Sequence, residues 1–151
     1  MKQVTIYTDG ACSCNPGPGG WGAVLMFGSA QKQISGFEAN TTNNRMEMLA
    51  VINALKLLKE PCMVELYSDS AYVVNAFLQD WVSYWRTHNW RTAGKKDVKN
   101  IPLWQELLDL CDIHQITWHK VKGHADNEYN NLCDKLARGE VDKYLSNQAK
   151  Q

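Results

Sequence analysis

Two β-like segments of the chain close on an aspartate, Thr8-Asp9-Gly10 and Ser68-Asp69-Ser70. If their strands run parallel and adjacent, both carboxylates sit beyond the strands' carboxyl ends, where open α/β sheets collect their ligands. Glu47, near the start of a helix, and Asp134, on the last helix, could join them at that edge. Four carboxylates so close repel one another, and the arrangement is tolerable only around a cation. Hard oxygen donors select magnesium or manganese rather than zinc. Two such ions about 4 Å apart can activate a water, steady a leaving oxygen and orient a phosphodiester for in-line displacement. The chemistry indicated is phosphoryl transfer on a polyanion. His124, in a loop after the last strand, would suit proton transfer to a leaving oxygen.

Each residue also has a plainer use. Asp9 can serve a turn, Asp69 can cap the following helix, Glu47 can close a capping box with Asn44, and Asp134 can be a solvated helix acid. His124 can be a loop or packing histidine. Taken one at a time, the plainer uses are the better bets, and spacing alone does not decide between them. A second feature is the stretch from Arg86 to Asn100, which gathers Arg86, Arg91, Lys95, Lys96 and Lys99 around Trp85 and Trp90. It could be a solvated surface, but rings interleaved with cations suit a groove that tracks a phosphate backbone. Trp81 and Trp85, at i and i+4, share a helix face and could equally be core.

The elements that must position these residues read as follows. Val4 to Asp9 alternates as a strand and breaks into the loop Asn15-Pro16-Gly17-Pro18-Gly19-Gly20; Trp21 to Phe27 and Lys32 to Phe37 continue an antiparallel meander. Thr41-Thr42-Asn43-Asn44 caps a helix whose apolar positions, Met46, Leu49, Ala50, Ala54, Leu57 and Leu58, recur until Pro61. Met63 to Tyr67 is a buried strand, Ala71 to Trp85 a helix, and Pro102 opens another through Leu103, Leu107 and Leu108. Gln115 to Val121 is the last strand. Asp126 or Asn127 caps a final helix with the stripe Tyr129, Leu132, Cys133, Leu136 and Ala137, and residues 142–151 form a polar tail expected to fray. The order predicts an α/β sheet with an antiparallel edge.

A chain of 151 residues, 44% hydrophobic and 21% charged, suits one globular domain spanning 1–151. Lysine plus arginine and aspartate plus glutamate are 16 each, so any basic surface is local. No apolar run nears the roughly 20 residues that span a bilayer, and no leader pattern opens the chain. A cytoplasmic monomer without membrane contact is expected. The five cysteines include only one close pair, Cys12-Ser13-Cys14, too tight for the usual zinc spacing, and are read as reduced thiols.

Several segments together resemble type 1 ribonuclease H of the bacterial kind. They are Tyr7-Thr8-Asp9-Gly10, the run from Asn15 to Gly22, Thr41 to Glu47, Ser68-Asp69-Ser70, Val98-Lys99-Asn100, Leu103-Trp104, Val121 to Ala125 and Asp134 to Ala137. Long motifs in one order over Val4 to Arg138 are far more specific than any single acid. The resemblance implies a ribonuclease H-like fold, a mixed five-stranded sheet with helices on both faces. It implies an endonuclease that hydrolyses the RNA strand of RNA/DNA hybrids to 5′-phosphate and 3′-hydroxyl ends. Asp9, Glu47, Asp69 and Asp134 would hold two Mg2+ ions, which Mn2+ could replace, and His124 would assist proton transfer or product release. The backbone from Gly10 to Cys12, with Asn15, Asn43 and Glu47, would meet 2′-hydroxyls, the group that tells RNA from DNA. Thr42 and Asn100 would hold a DNA phosphate and Trp81 and Trp85 line the DNA groove, with Arg91, Lys95, Lys96 and Lys99 as a basic protrusion. Such contacts read shape and sugar, so little sequence preference should follow.

Three other readings compete. A junction resolvase or transposase would use similar carboxylates, but the Thr-Thr-Asn-Asn-Arg-Met-Glu segment and the basic stretch favour ribonuclease H. A module that coats hybrids without cutting would not need an intact acid set. A domain of a larger reverse transcriptase is set against a chain that starts at Met1 and shows no linker.

Overall fold

The computed structural model describes residues 1–122 and 127–149. Five strands, β1 (Lys2–Cys12), β2 (Gly17–Phe27), β3 (Ala30–Thr41), β4 (Cys62–Ser68) and β5 (Gln115–Lys120), form one sheet in the order β3-β2-β1-β4-β5. β1, β2 and β3 pair antiparallel as a meander, while β4 runs parallel to both β1 and β5. Among the described residues five helices accompany them: α1 (Asn43–Lys56), α2 (Ala71–Leu78), α3 (Trp81–Thr87), α4 (Ile101–Ile113) and α5 (Glu128–Ala149). The fold is the mixed α/β sheet that the element order predicts.

Alternation along β1 sends Val4, Ile6 and Thr8 to the face covered by α1, where they are almost wholly buried. The opposite face carries Tyr7 toward α5, and its ring begins a ladder across the sheet. Tyr129 meets Tyr7 at 5.3 Å, Tyr7 stacks on Tyr67 at 4.7 Å, and Tyr67 stacks on His119 at 4.5 Å between ring centroids. Behind α1 packs α4, whose fully buried Trp104 touches Trp85 at 5.3 Å, Tyr72 at 5.4 Å and Phe77 at 6.1 Å. A large ring shared by α2, α3 and α4 ties the helical layer together.

The structure departs from the sequence reading at three elements. β2 begins at Gly17, not Trp21, so the glycine run is largely strand. Its glycines belong there because α5 lies against them: a Cβ on Gly20 would stand 2.2 Å from the Ala137 carbonyl oxygen, and one on Gly22 2.7 Å from that of Cys133. The single helix expected from Ala71 to Trp85 is two, broken at Asp80, whose φ of 56° is left-handed and interrupts the helical path. An aspartate tolerates that conformation better than most residues. Residues 142–149, expected to fray, continue α5, anchored by Tyr144 against Phe37 at 4.5 Å and by the Ser35 hydroxyl donating to Glu140 at 2.7 Å.

Candidate active site

Asp9 lies in β1 one residue beyond its pairing with β4, and Asp69 directly follows β4, so the parallel register brings both to one edge of the sheet. Glu47 reaches the same edge from the first turns of α1. What permits this is Gly10: a Cβ there would stand 2.6 Å from the Glu47 backbone nitrogen and 2.7 Å from the Met46 carbonyl carbon. Both are backbone atoms of the helix and have no side-chain freedom with which to yield. The start of α1 is fixed by Thr42, whose hydroxyl oxygen accepts from the Arg45 amide at 3.2 Å, and by Asn15, whose side-chain oxygen accepts from the Asn43 amide at 3.1 Å. Arg45 in turn forks onto Glu38 at 2.7 and 3.1 Å, tying the helix to β3.

Asp9, Glu47 and Asp69 each present an oxygen within 4.8 Å of the other two. Asp9 and Glu47 are both 5% exposed. Burial, then the charge of Asp69, pushes the Asp9 carboxyl up to about 8, against the lowering effect of the Gly10 amide that donates to it at 2.9 Å. Burial likewise raises Glu47 well above the ordinary carboxylate range, with Asp9 and Asp69 adding to the effect. The Glu47 Oε1 is buried and has no hydrogen-bond partner among the described residues. An orphaned, desolvated carboxylate oxygen facing two further acids is a site built for a cation, and its all-oxygen donor set fits a hard divalent ion.

Asp134 lines a cavity of about 520 Å³ with Asp9, Asp69 and Asn43, together with Gly10 to Ser13 at the end of β1. It is not one of the three acids that share the tight cluster. A neighbouring cavity of about 330 Å³ takes in Asp9, Glu47, Asp69, Asn43 and Tyr72. Tyr72 was not singled out in the sequence, yet its hydroxyl accepts from Asn100 Nδ2 and Trp104 Nε1, both at 3.2 Å. It therefore links the carboxylate edge to Asn100, itself held at φ 63°.

Of the two tryptophans assigned to a groove, Trp85 is 9% exposed and belongs to the core against Trp104, whereas Trp81 is 38% exposed and offers its ring to the surface. Arg91, Lys95, Lys96 and Lys99 are all exposed on the segment between α3 and α4, where Arg91 bridges to Asp97. Cys12 ends β1 with its thiol donating to the Cys14 carbonyl at 2.5 Å. His124 and Asp126 lie outside the described residues. Asn127 does cap α5, accepting from the Tyr129 and Asn130 amides at 3.0 Å.

A mixed sheet of this order, with carboxylates gathered where its central parallel strands end, defines an enzyme of ribonuclease H-like fold with an acidic, metal-competent centre. The family model for RNase H matches residues 1–142, and the chain belongs to the ribonuclease H family. A ribonuclease H of Acetivibrio thermocellus is 66% identical over 143 residues, 95% of this chain and 97% of its own. That of Chlorobaculum parvum is 64% identical over 137 residues, 91% of this chain and 94% of its own. Among solved structures, LC9-RNase H1, a type 1 RNase H with the type 2 active-site motif, superposes with a TM-score of 0.84 at 28% identity, covering 95% of this chain and 74% of its own.

Proposed function

We infer that the protein hydrolyses the RNA strand of RNA/DNA hybrids endonucleolytically, leaving 5′-phosphate and 3′-hydroxyl ends with little sequence preference. The observation that carries this is the cluster of Asp9, Glu47 and Asp69 within 4.8 Å, with its orphaned Glu47 oxygen, in a chain of this family. These acids, joined by Asp134, would hold magnesium, or manganese in its place. When bound, the ions supply a nucleophile from water near neutral pH and stabilise charge on the leaving oxygen.

The chain's own residues orient the hybrid. The backbone of Gly10 to Cys12 and the side chain of Asn43 line the cavity that holds the acids, and they read the 2′-hydroxyl. Asn15 uses its oxygen on the Asn43 amide and keeps its NH2 for a sugar hydroxyl. Thr42 accepts with its hydroxyl oxygen and retains its proton to donate to a DNA phosphate, beside Asn100. Trp81 meets the DNA strand, with Trp85 backing it at 6.4 Å between ring centroids, and Arg91, Lys95, Lys96 and Lys99 neutralise phosphates. His124 assists proton transfer or product release. The protein works as a cytoplasmic monomer, and no helix among the described residues is long and apolar enough to cross a membrane.

The test is cleavage of one sequence presented as RNA/DNA, RNA/RNA, DNA/DNA and single-stranded RNA, with magnesium and with excess chelator. Metal-dependent cutting of the RNA strand of the hybrid alone is expected. Binding without cutting, or cutting of DNA, would overturn the reading.

A further inference from the structure

Three of the four acids pool their oxygens, and the fourth is engaged elsewhere. Asp134 Oδ1 accepts from Arg138 Nε at 3.2 Å, one helical turn further along α5. Both residues line the cavity of about 520 Å³ that Asp9 and Asp69 also line, and among the described residues Arg138 is the one cation in that lining, which includes Asp142. The Arg138 side chain is 61% exposed, so it fills no core. A solvated i,i+4 pair also contributes little to a helix, and its place in this cavity calls for another account.

We propose that Arg138 is a positioning residue that holds the Asp134 carboxylate back from the three-acid cluster and yields it to a second divalent cation. The proposal rests on the reading of Asp134 as a metal ligand. A guanidinium and an incoming cation compete for the same oxygen and repel each other across the same cleft. While Asp134 is paired, the chain can bind one ion on Asp9, Glu47 and Asp69 without also facing the full repulsion of a fourth free carboxylate. Release of Asp134 then accompanies full loading.

Binding of Mn2+ to the full chain without nucleic acid, followed by calorimetry and by the electron-spin signal of free Mn2+, tests this. Arg138→Gln should tighten the weaker ion-binding step by about three- to tenfold, the size expected when a unit charge and a competitor leave a water-rich cleft. Arg138→Lys, which keeps the charge and can still pair, should stay close to the unmodified protein. In an Asp134→Asn background the gain from Arg138→Gln should fall below about twofold, because no carboxylate remains to be released. Unchanged affinity in Arg138→Gln, or an equal gain with Asp134 absent, would overturn the positioning role while leaving Asp134 as a ligand. Ion binding by Asp134→Asn indistinguishable from that of the unmodified chain would remove Asp134 from the ligand set, and the proposal with it.

Discussion

At the scale of single residues, Asp9 carries the most consequence. Its carboxyl is pushed up to about 8 in the folded chain from an ordinary value of 3.8, chiefly by burial. Between those limits the folded state keeps a proton that the unfolded chain has released, so stability without metal falls as pH rises through that window and is fullest below it. Asp9→Asn removes this titration. In chelator, its melting temperature should exceed that of the parent at pH 8 and converge with it near pH 4. Hydrolysis should meanwhile drop by more than about 100-fold, beyond what losing a mere supporting partner of a ligand costs, while hybrid affinity holds. A melting curve equally pH-dependent in both proteins would contradict the assignment. That Asp9, Glu47 and Asp69 meet was legible from the strand-end aspartates and the Thr-Thr-Asn-Asn-Arg-Met-Glu segment. Tyr72 and Arg138 were not, because a tyrosine hydroxyl that joins α2 to the start of α4 and an arginine that lines a cavity have no local signature.

At the scale of elements, glycine decides how closely helices approach the sheet. By sequence the run Gly17 to Gly22 is mostly loop, because strands rarely carry so many glycines. It is strand because α5 rests directly on its backbone, and no sequence window records a helix more than a hundred residues away. The same blindness hid the last two turns of α5, which are polar but held by Phe37 and Ser35. Gly20→Ala would drive a methyl to 2.2 Å from the Ala137 carbonyl oxygen. Overpacking of this kind typically costs about 1–3 kcal/mol. Chemical denaturation should show that loss, and cleavage should fall with it because α5 carries Asp134. Activity retained at full stability would mean that α5 can shift without disturbing the site.

At the scale of the whole molecule, a net charge of zero conceals separated signs: carboxylates at one edge of the sheet and cations on the segment between α3 and α4. Under the proposed function, a polyanion would be drawn by one region and cut at the other. Replacing Lys95, Lys96 and Lys99 together with alanine should weaken hybrid binding and flatten the plot of log affinity against log salt by up to about 2 to 3 units, since each phosphate contact contributes roughly 0.9. An unchanged slope would show that these lysines touch no phosphate. The overall α/β plan was readable because strand and helix periods alternate cleanly along the chain, whereas packing between distant elements was not. The four acids come from β1, α1, the end of β4 and α5, which spreads them from position 9 to position 134. Synthesis from the amino end therefore delivers Asp134 last, and a nascent chain stalled before that codon lacks the α5 that packs on the glycine strand as well as the fourth acid.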